Sequence, residues 1–128
     1  WLEGETYAFL IDFLGKDGER IVRIYYQDAV AAPPLGLVPP SAEDSVDVAI
    51  LVPATYAEVD WQPEALVDDA RPDHVLLGHW ENFFQPADAE AAPVPFTLLA
   101  DFRRRIERAL PEGVDYHIPV AGTVFVFR

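Results

Sequence analysis

Hydrophobic and polar positions alternate near the start of the chain. Aromatic or aliphatic side chains fill every second position of residues 7–13, which is the period of a β-strand. A turn built from Gly, Lys and Asp occupies residues 15–18, and a second β-rich run covers residues 20–26. The pattern therefore predicts a β-hairpin over residues 5–27.

The next segment, residues 29–45, breaks this regularity. It contains two proline pairs, Pro33-Pro34 and Pro39-Pro40, which exclude regular secondary structure. Apolar residues lie between the two pairs. An irregular loop of this length and apolar content in a compact domain is typical of a lid, a binding loop or an interface, and the alternative is a plain surface loop.

The rest of the chain alternates apolar runs with helical patterns. The predicted elements are a buried strand over 46–52, a helix over 63–70, a strand over 74–78, a helix over 97–110 with Thr97 as its N-cap, and a strand pair over 116–120 and 123–127. The order is ββ-loop-β-α-β-α-ββ. Alternating strands and helices predict an α/β layered domain.

Composition narrows the class of protein. The 128 residues suffice for one domain with its own core, and 51% of them are hydrophobic. No apolar run reaches the roughly 20 residues of a membrane span, and no leader is visible, so we expect a cytoplasmic protein with no membrane partner. Because the chain opens on Trp1 and contains no methionine, we expect that an N-terminal portion of the protein is missing.

The charge balance argues against a nucleic acid partner. The formal net charge is −13, whereas a phosphate backbone requires clustered Lys and Arg. One basic cluster exists, Arg103-Arg104-Arg105. It lies beside acidic residues on one predicted helix, which indicates a solvated helix face.

Two residues are candidates for chemistry. His79 follows the short apolar strand at 74–78, and Asp28 follows the second strand of the hairpin. Strands that run in the same direction place such residues along one edge of the sheet, where α/β proteins build their sites. The alternatives are a structural hydrogen-bonding His and a turn-forming Asp.

Oxygen and imidazole ligands favour a hard or borderline metal ion. The chain has no cysteine, no Gly-rich phosphate loop and no Gly-x-Ser-x-Gly elbow, which excludes the commonest other chemistries. A catalytic zinc ion usually takes three protein ligands. With Asp28 and His79 alone, either no metal binds or further ligands come from outside the chain.

The order and spacing of these segments resemble the C-terminal half of the metallo-β-lactamase-fold hydrolases. Residues 7–13 and 20–26 look like the strand pair that precedes the metal-bridging Asp. Residues 46–53 are similar to the family's Asp-x-hydrophobic-Pro strand, residues 74–80 to the strand with the last metal-binding His, and residues 117–124 to the closing strands.

The resemblance implies half of a four-layer αββα metallo-β-lactamase-like sandwich. Residues 1–128 would be a single domain, the C-terminal part of the complete domain. The missing N-terminal half, or another chain, would supply the family's His-x-His-x-Asp-His motif. We then expect a metal-dependent hydrolase in which a metal-activated water attacks an ester, amide, thioester or phosphoester of a small-molecule substrate.

The same resemblance assigns roles to residues. Asp28 would bridge two metal ions and His79 would be a terminal ligand, so both are candidate catalytic and metal-binding residues. Two Zn ions are expected, with Mn or Fe as alternatives. Trp80, Leu35 and Leu37 are candidates for the substrate pocket.

One alternative belongs to a different class of protein. The family commonly has Gly immediately before the bridging Asp, and this chain has Gln27. A degenerate, non-catalytic α/β binding or dimerisation module therefore stays open as the second hypothesis. Its interface would use the apolar loop 35–38 and the aromatic segment 80–84.

Overall fold

The computed structural model describes residues 7–39, 45–86 and 88–127. Its elements are β1 (Ala8–Leu14), β2 (Arg20–Gln27), β3 (Val48–Leu51), a short 3-10 helix (Tyr56–Glu58), α1 (Glu64–Ala70), β4 (His74–Leu77), α2 (Leu99–Ala109) and β5 (Tyr116–His117). The predicted α/β class is confirmed as a five-stranded mixed sheet with two helices.

The strands lie in the sheet in their chain order, from β1 to β5. β1 and β2 form the predicted antiparallel hairpin, whereas each later strand runs parallel to the one before it. α1 connects β3 to β4, and α2 connects β4 to β5. The carboxyl ends of β2, β3 and β4 consequently share one edge of the sheet.

The hydrophobic core lies between one face of the sheet and the two helices. Period-two alternation sends Tyr25, Leu51 and Leu77 to this face, where each is at most 2% exposed. From the helices, Leu66, Val67, Ala70, Phe102 and Ile106 fill the other side of the core. Burial of these side chains is the main source of stability.

Polar contacts join the two helices at the margin of this core. The guanidinium of Arg105 in α2 donates to both carboxylate oxygens of Glu64 in α1, at 2.8 and 2.6 Å. Tyr56 packs its ring edge-on against Phe102, with centroids 4.9 Å apart, and donates its hydroxyl to Asp101. The 3-10 helix, which the sequence pattern did not predict, thereby anchors α2.

The loop after β2 is irregular over its described residues, as predicted, and it is held against the core. The Tyr25 hydroxyl donates to the carbonyl oxygen of Gly36. The backbone N–H of Val38 donates to Asp69 at 2.6 Å, and the buried Gln62 donates to the carbonyl of Ala31 at 3.1 Å. Residues 40–44 of the predicted loop lie outside the described residues.

The opposite face of the sheet, which we term the open face, is also apolar. It comprises Phe9, Ile11, Phe13, Val22, Ile24, Tyr26, Val48, Ile50, His74, Leu76 and His117. Both helices pack on the other face. On the outer strand, Phe9, Ile11 and Phe13 are 47%, 41% and 52% exposed.

The chain's end corrects one prediction. Only residues 116–117 of the predicted strand 116–120 pair with the sheet, and residues 123–127 form no strand. Alternate side chains of residues 123–127 instead contact the sheet. The ring centroid of Phe125 lies 5.1 Å from that of His117, and the ring centroid of Phe127 lies 4.4 Å from that of His74. Side chains rather than backbone hydrogen bonds fasten this segment to the open face.

The predicted N-cap of the last helix is also wrong. Leu98 occupies the cap position and makes no side-chain capping bond, and α2 begins at Leu99. The Thr97 N–H donates instead to the carbonyl of Val94 in a preceding turn, at 3.0 Å. That turn places Thr97 one residue too early to serve the first helical N–H groups.

Candidate functional site

The structure brings Asp28 and His79 together at the carboxyl edge of the sheet. Asp28 directly follows β2, and His79 follows β4 after Gly78. The imidazole Nδ1 of His79 lies 3.3 Å from the backbone carbonyl oxygen of Asp28, and both residues are exposed. Parallel pairing of β2, β3 and β4 is what aligns the two positions.

The backbone at Gly78, which packs closely against β3, determines where His79 lies. The Gly78 N–H donates to the carbonyl of Leu51 at 2.8 Å, which extends the β3–β4 contact beyond the strand. A Cβ at Gly78 would approach the side chain of Ile50 to 3.0 Å, so little room exists for a larger residue. His79 then takes a φ of 47°, in the left-handed region that costs a non-Gly residue roughly 1–2 kcal/mol. Four other described non-Gly residues, Thr55, Trp61, Arg71 and Phe96, also have a positive φ, so this conformation does not by itself mark a functional position.

The contact with Asp28 determines which ring nitrogen of His79 can bind a metal ion. A carbonyl oxygen can only accept a hydrogen bond, so this contact requires the proton to lie on Nδ1. The lone pair then lies on Nε2. Metal-binding histidines usually donate their second ring nitrogen in this way, which fixes the orientation of the ring.

Among the residues that the structure describes, the carboxylate of Asp28 has one hydrogen-bond donor. The hydroxyl of Tyr26 donates to its Oδ1 at 3.0 Å. Desolvation, followed by this hydrogen bond to Asp28, raises the pKa of Tyr26 above its ordinary value. Tyr26 therefore stays protonated at neutral pH and can continue to donate to the carboxylate.

A depression of about 330 Å³ adjoins His79. It is lined by Leu77, Gly78, His79, Trp80, Glu81, Phe83, Pro119, Val120 and Ala121. Trp80 is only 8% exposed and donates its indole N–H to the carbonyl of Pro119 at 2.8 Å. This bond ties the loop after β4 to the segment after β5, so Trp80 forms a fixed wall of the depression.

The two loop candidates for the substrate pocket lie elsewhere. Leu35 is 69% exposed on the loop after β2, and Leu37 packs against the hydrophobic core. Neither residue lines the depression beside His79. Of the three candidates, the structure brings only Trp80 to this depression.

Gln27, the residue before Asp28, points into the protein. It is 2% exposed, and its Nε2 has no hydrogen-bond partner among the described residues. It lies directly beneath Gly36, where an added Cβ would come within 2.8 Å of Nε2. The side chain of Gln27 therefore supports the loop that follows Asp28.

Asp28 and His79 are of residue types that bind metal ions, but two ligands are too few to hold an ion by themselves. Within residues 7–39, 45–86 and 88–127, no group of three or more His, Asp or Glu side chains is placed to hold an ion. His74 and His117 lie on the open face against aromatic rings. Further ligands for Asp28 and His79 would have to come from outside this described set.

Sequence reasoning missed one feature of the site, the carboxylate of Glu81. Its Oε1 is buried and has no hydrogen-bond partner among the described residues. The only signal in the sequence is its position two residues after His79. Its environment depends on the distant segment 119–121, which the local pattern could not predict.

Over the described ranges, neither helix has the length and apolar content needed to cross a bilayer. Comparisons with family models, curated protein sequences and solved structures find no match to this chain. The resemblance to metallo-β-lactamase-fold hydrolases therefore stays a prediction that depends on the residues alone.

Proposed function

We propose that this chain supplies part of the active site of a metal-dependent hydrolase that acts on a small molecule. The observation that carries the proposal is the convergence of Asp28 and His79, with Nδ1 of His79 held by the carbonyl of Asp28. Their residue types suit zinc, with manganese or iron as alternatives. When bound, such an ion supplies an activated water and polarises the ester, amide, thioester or phosphoester centre.

The chain's own residues have distinct tasks in this proposal. The carboxylate of Asp28 and Nε2 of His79 would hold the metal, while the Asp28 carbonyl keeps the imidazole oriented. Tyr26 donates to Asp28 and limits the orientations that the carboxylate can take. Trp80 excludes water from one wall of the substrate depression, where it is itself almost fully buried.

We further propose that the sheet is one of two in a four-layer αββα sandwich. The two helices cover one face, and the open face presents apolar side chains from β1 to β4, of the kind found between packed sheets, with Phe125 and Phe127 against its two histidines. A depression of about 530 Å³ on this face has walls from β2, β3 and β4. The second sheet, with the remaining ligands, would come from an upstream half or another chain.

Metal analysis of the protein in its full natural length, with any sequence that lies before Trp1 included, tests this proposal. We expect bound transition metal by elemental analysis, and loss of metal and of hydrolysis on Asp28→Ala and on His79→Ala. His74→Ala is the matched control, since His74 lies on the open face. Full metal content in both site variants would refute the assignment. The present chain alone should bind zinc weakly, because two ligands are too few.

A second candidate is a non-catalytic binding or dimerisation module, and the exposed apolar surface favours it. Besides the open face, Leu35 is 69% exposed, and Phe83 and Phe84 are 61% and 78% exposed. Limited proteolysis can separate the candidates. Protection of the peptide bonds near Leu35 that depends on a partner, together with no metal in the longer protein, would favour the module.

A further inference from the structure

The depression beside His79 continues into a second one. The second has a volume of about 440 Å³ and includes the polar residues Asn82, Gln85 and Glu90. Glu81, Phe83, Val120 and Ala121 line both. Glu81 therefore stands in the wall between an apolar compartment next to His79 and a more polar, acidic compartment.

The position of Glu81 is fixed by backbone contacts. Glu81 forms an antiparallel β-bridge with Pro93. Two backbone hydrogen bonds flank this bridge. The Asn82 N–H donates to the carbonyl of Ala92 at 2.7 Å, and the Val94 N–H donates to the carbonyl of Trp80 at 2.9 Å. The two sides of this loop are thus held together at Glu81.

The carboxylate of Glu81 lacks a donor. Its Oε1 is shielded from solvent, and no described residue donates a hydrogen bond to it. Leaving such an oxygen unpaired is costly, whereas a charge-assisted hydrogen bond from a bound group would remove the cost. The terminal torsion of a Glu side chain is broad, so the carboxylate can turn towards a donor that enters either compartment.

Aromatic surface lies beside this carboxylate. Phe83 is 61% exposed and Trp80 forms the neighbouring wall. An aromatic face attracts a cation and also accepts an apolar body. A carboxylate without a donor next to aromatic rings is therefore complementary to a ligand that has a protonated amine on a short apolar chain.

We propose that Glu81 binds a protonated amine of the ligand, whose apolar part packs on Phe83 and Val120. Because Glu81 and His79 line the same depression, the remainder of such a ligand lies next to His79. Calling this ligand the substrate rests on the proposed hydrolase function. Binding of the amine depends on the chain's own residues and requires no metal.

Binding of three small probes in the presence of EDTA tests the proposal. The probes are 2-phenylethylamine, 2-phenylethanol and 3-phenylpropionate, which share an aromatic body and differ in charge. Binding is followed through the indole N–H resonance of Trp80 in the isotope-labelled chain. We expect the amine to bind roughly tenfold or more tightly than the alcohol, and the carboxylate most weakly.

Matched variants separate a specific contact from general attraction to an acidic protein. Glu81→Gln should weaken amine binding roughly tenfold or more and leave the alcohol unchanged. Glu90→Gln removes the same charge from the second compartment and should change amine affinity by less than about twofold at physiological salt. Failure of the amine to bind, or equal losses in both variants, would overturn the proposal.

Failure of this proposal is distinguishable from failure of the hydrolase proposal. Asp28→Asn removes a proposed metal ligand that does not line the depression, so it should leave amine affinity within about twofold. Amine selectivity that depends on Glu81 in a protein without metal would support the cation site alone. Metal bound through Asp28 and His79 without amine selectivity would refute the cation site alone.

Discussion

The imidazole of His79 is held by the backbone of Asp28: Nδ1 lies 3.3 Å from the carbonyl oxygen, although 51 positions separate the two residues. The contact passes over the end of β3, which lies between β2, the strand before Asp28, and β4, the strand before His79. A backbone carbonyl cannot rotate away as a side chain can. The ring of His79 is therefore oriented by the sheet itself.

The left-handed conformation of His79 should reduce stability. Its φ is 47°, so we expect His79→Gly to be more stable than His79→Ala by about 1 kcal/mol, because Gly removes the Cβ strain. Urea denaturation measures the difference. At His74, within β4, the order should reverse, since Gly is unfavourable in a strand. A less stable His79→Gly than His79→Ala would contradict the assignment of strain.

Gly36 should be more sensitive to substitution than Gly18. Both have a positive φ, 73° and 84°, and so share the conformational penalty of an added Cβ. Only at Gly36 does that Cβ collide, 2.8 Å from Nε2 of Gln27; at Gly18 it meets nothing within 4 Å. We expect Gly36→Ala to lower the free energy of unfolding by roughly 1 kcal/mol or more beyond Gly18→Ala. Equal losses would show that Gln27 yields freely.

The ion pair between Glu64 and Arg105 should make a modest contribution that depends on pH. Burial, the largest single cause, raises the pKa of Glu64. The hydrogen bonds from Arg105, a backbone hydrogen bond and the charge of Arg105 together outweigh burial and hold this pKa below its ordinary value. A double-mutant cycle with Glu64→Gln and Arg105→Gln should give a coupling of roughly 0.5–1 kcal/mol, because both side chains are partly exposed. The coupling is present above the unfolded pKa of Glu64, and it should vanish as the pH falls through the lowered folded value.

Ionisation of the Tyr56 hydroxyl should destabilise the fold at alkaline pH. Desolvation, and then its hydrogen bond to Asp101, raise its pKa from 10.0 to about 12. The folded state therefore favours the neutral phenol, and this stability is complete below pH 10 and lost as the pH rises from 10 towards 12. Between pH 10 and 12, the free energy of unfolding of Tyr56→Phe, measured by denaturation, should fall by roughly 1–2 kcal/mol less than that of the wild type. An unchanged alkaline slope would contradict the raised pKa.

The open face should drive association of the chain when nothing covers it. Phe9 and Ile11 are about half exposed there, and a contiguous apolar sheet is an interaction surface. We expect sedimentation to show oligomers that the double variant Phe9→Thr/Ile11→Thr weakens. Val124→Thr/Val126→Thr is the matched control, since these two residues are highly exposed outside the open face. A monomeric wild type at high concentration would contradict the prediction.

The sequence predicted those parts of the fold that depend on local pattern. Period-two alternation identified the hairpin, and buried apolar runs identified β3 and β4. Asp28 and His79 were expected at one edge of the sheet on the condition that their strands run in the same direction, and the parallel pairing of β2, β3 and β4 meets that condition. The exact strand ends differed by one or two residues, because backbone pairing rather than hydrophobicity decides where a strand stops.

The remainder of the site depends on contacts between segments far apart in the chain. Trp80 forms a wall because its indole reaches Pro119, 39 positions away. Oε1 of Glu81 lacks a donor among the described residues, since residues 92–94 pair at Glu81 through backbone groups. Leu37 packs against the core because Tyr25 and Asp69 hold its loop inwards. The local sequence around a residue does not predict such contacts with distant segments.

Strand order in the sheet equals chain order, and this has a consequence for synthesis on the ribosome. Each strand from β2 onward pairs with the strand translated just before it, so the sheet can extend as the nascent chain emerges. Asp28 would be in place first, and His79 would reach it only after β4 docks on β3. A nascent chain arrested before β4 would therefore have the carboxylate of Asp28 without the imidazole of His79, and the pair that we propose as metal ligands would form only with the arrival of the fourth strand.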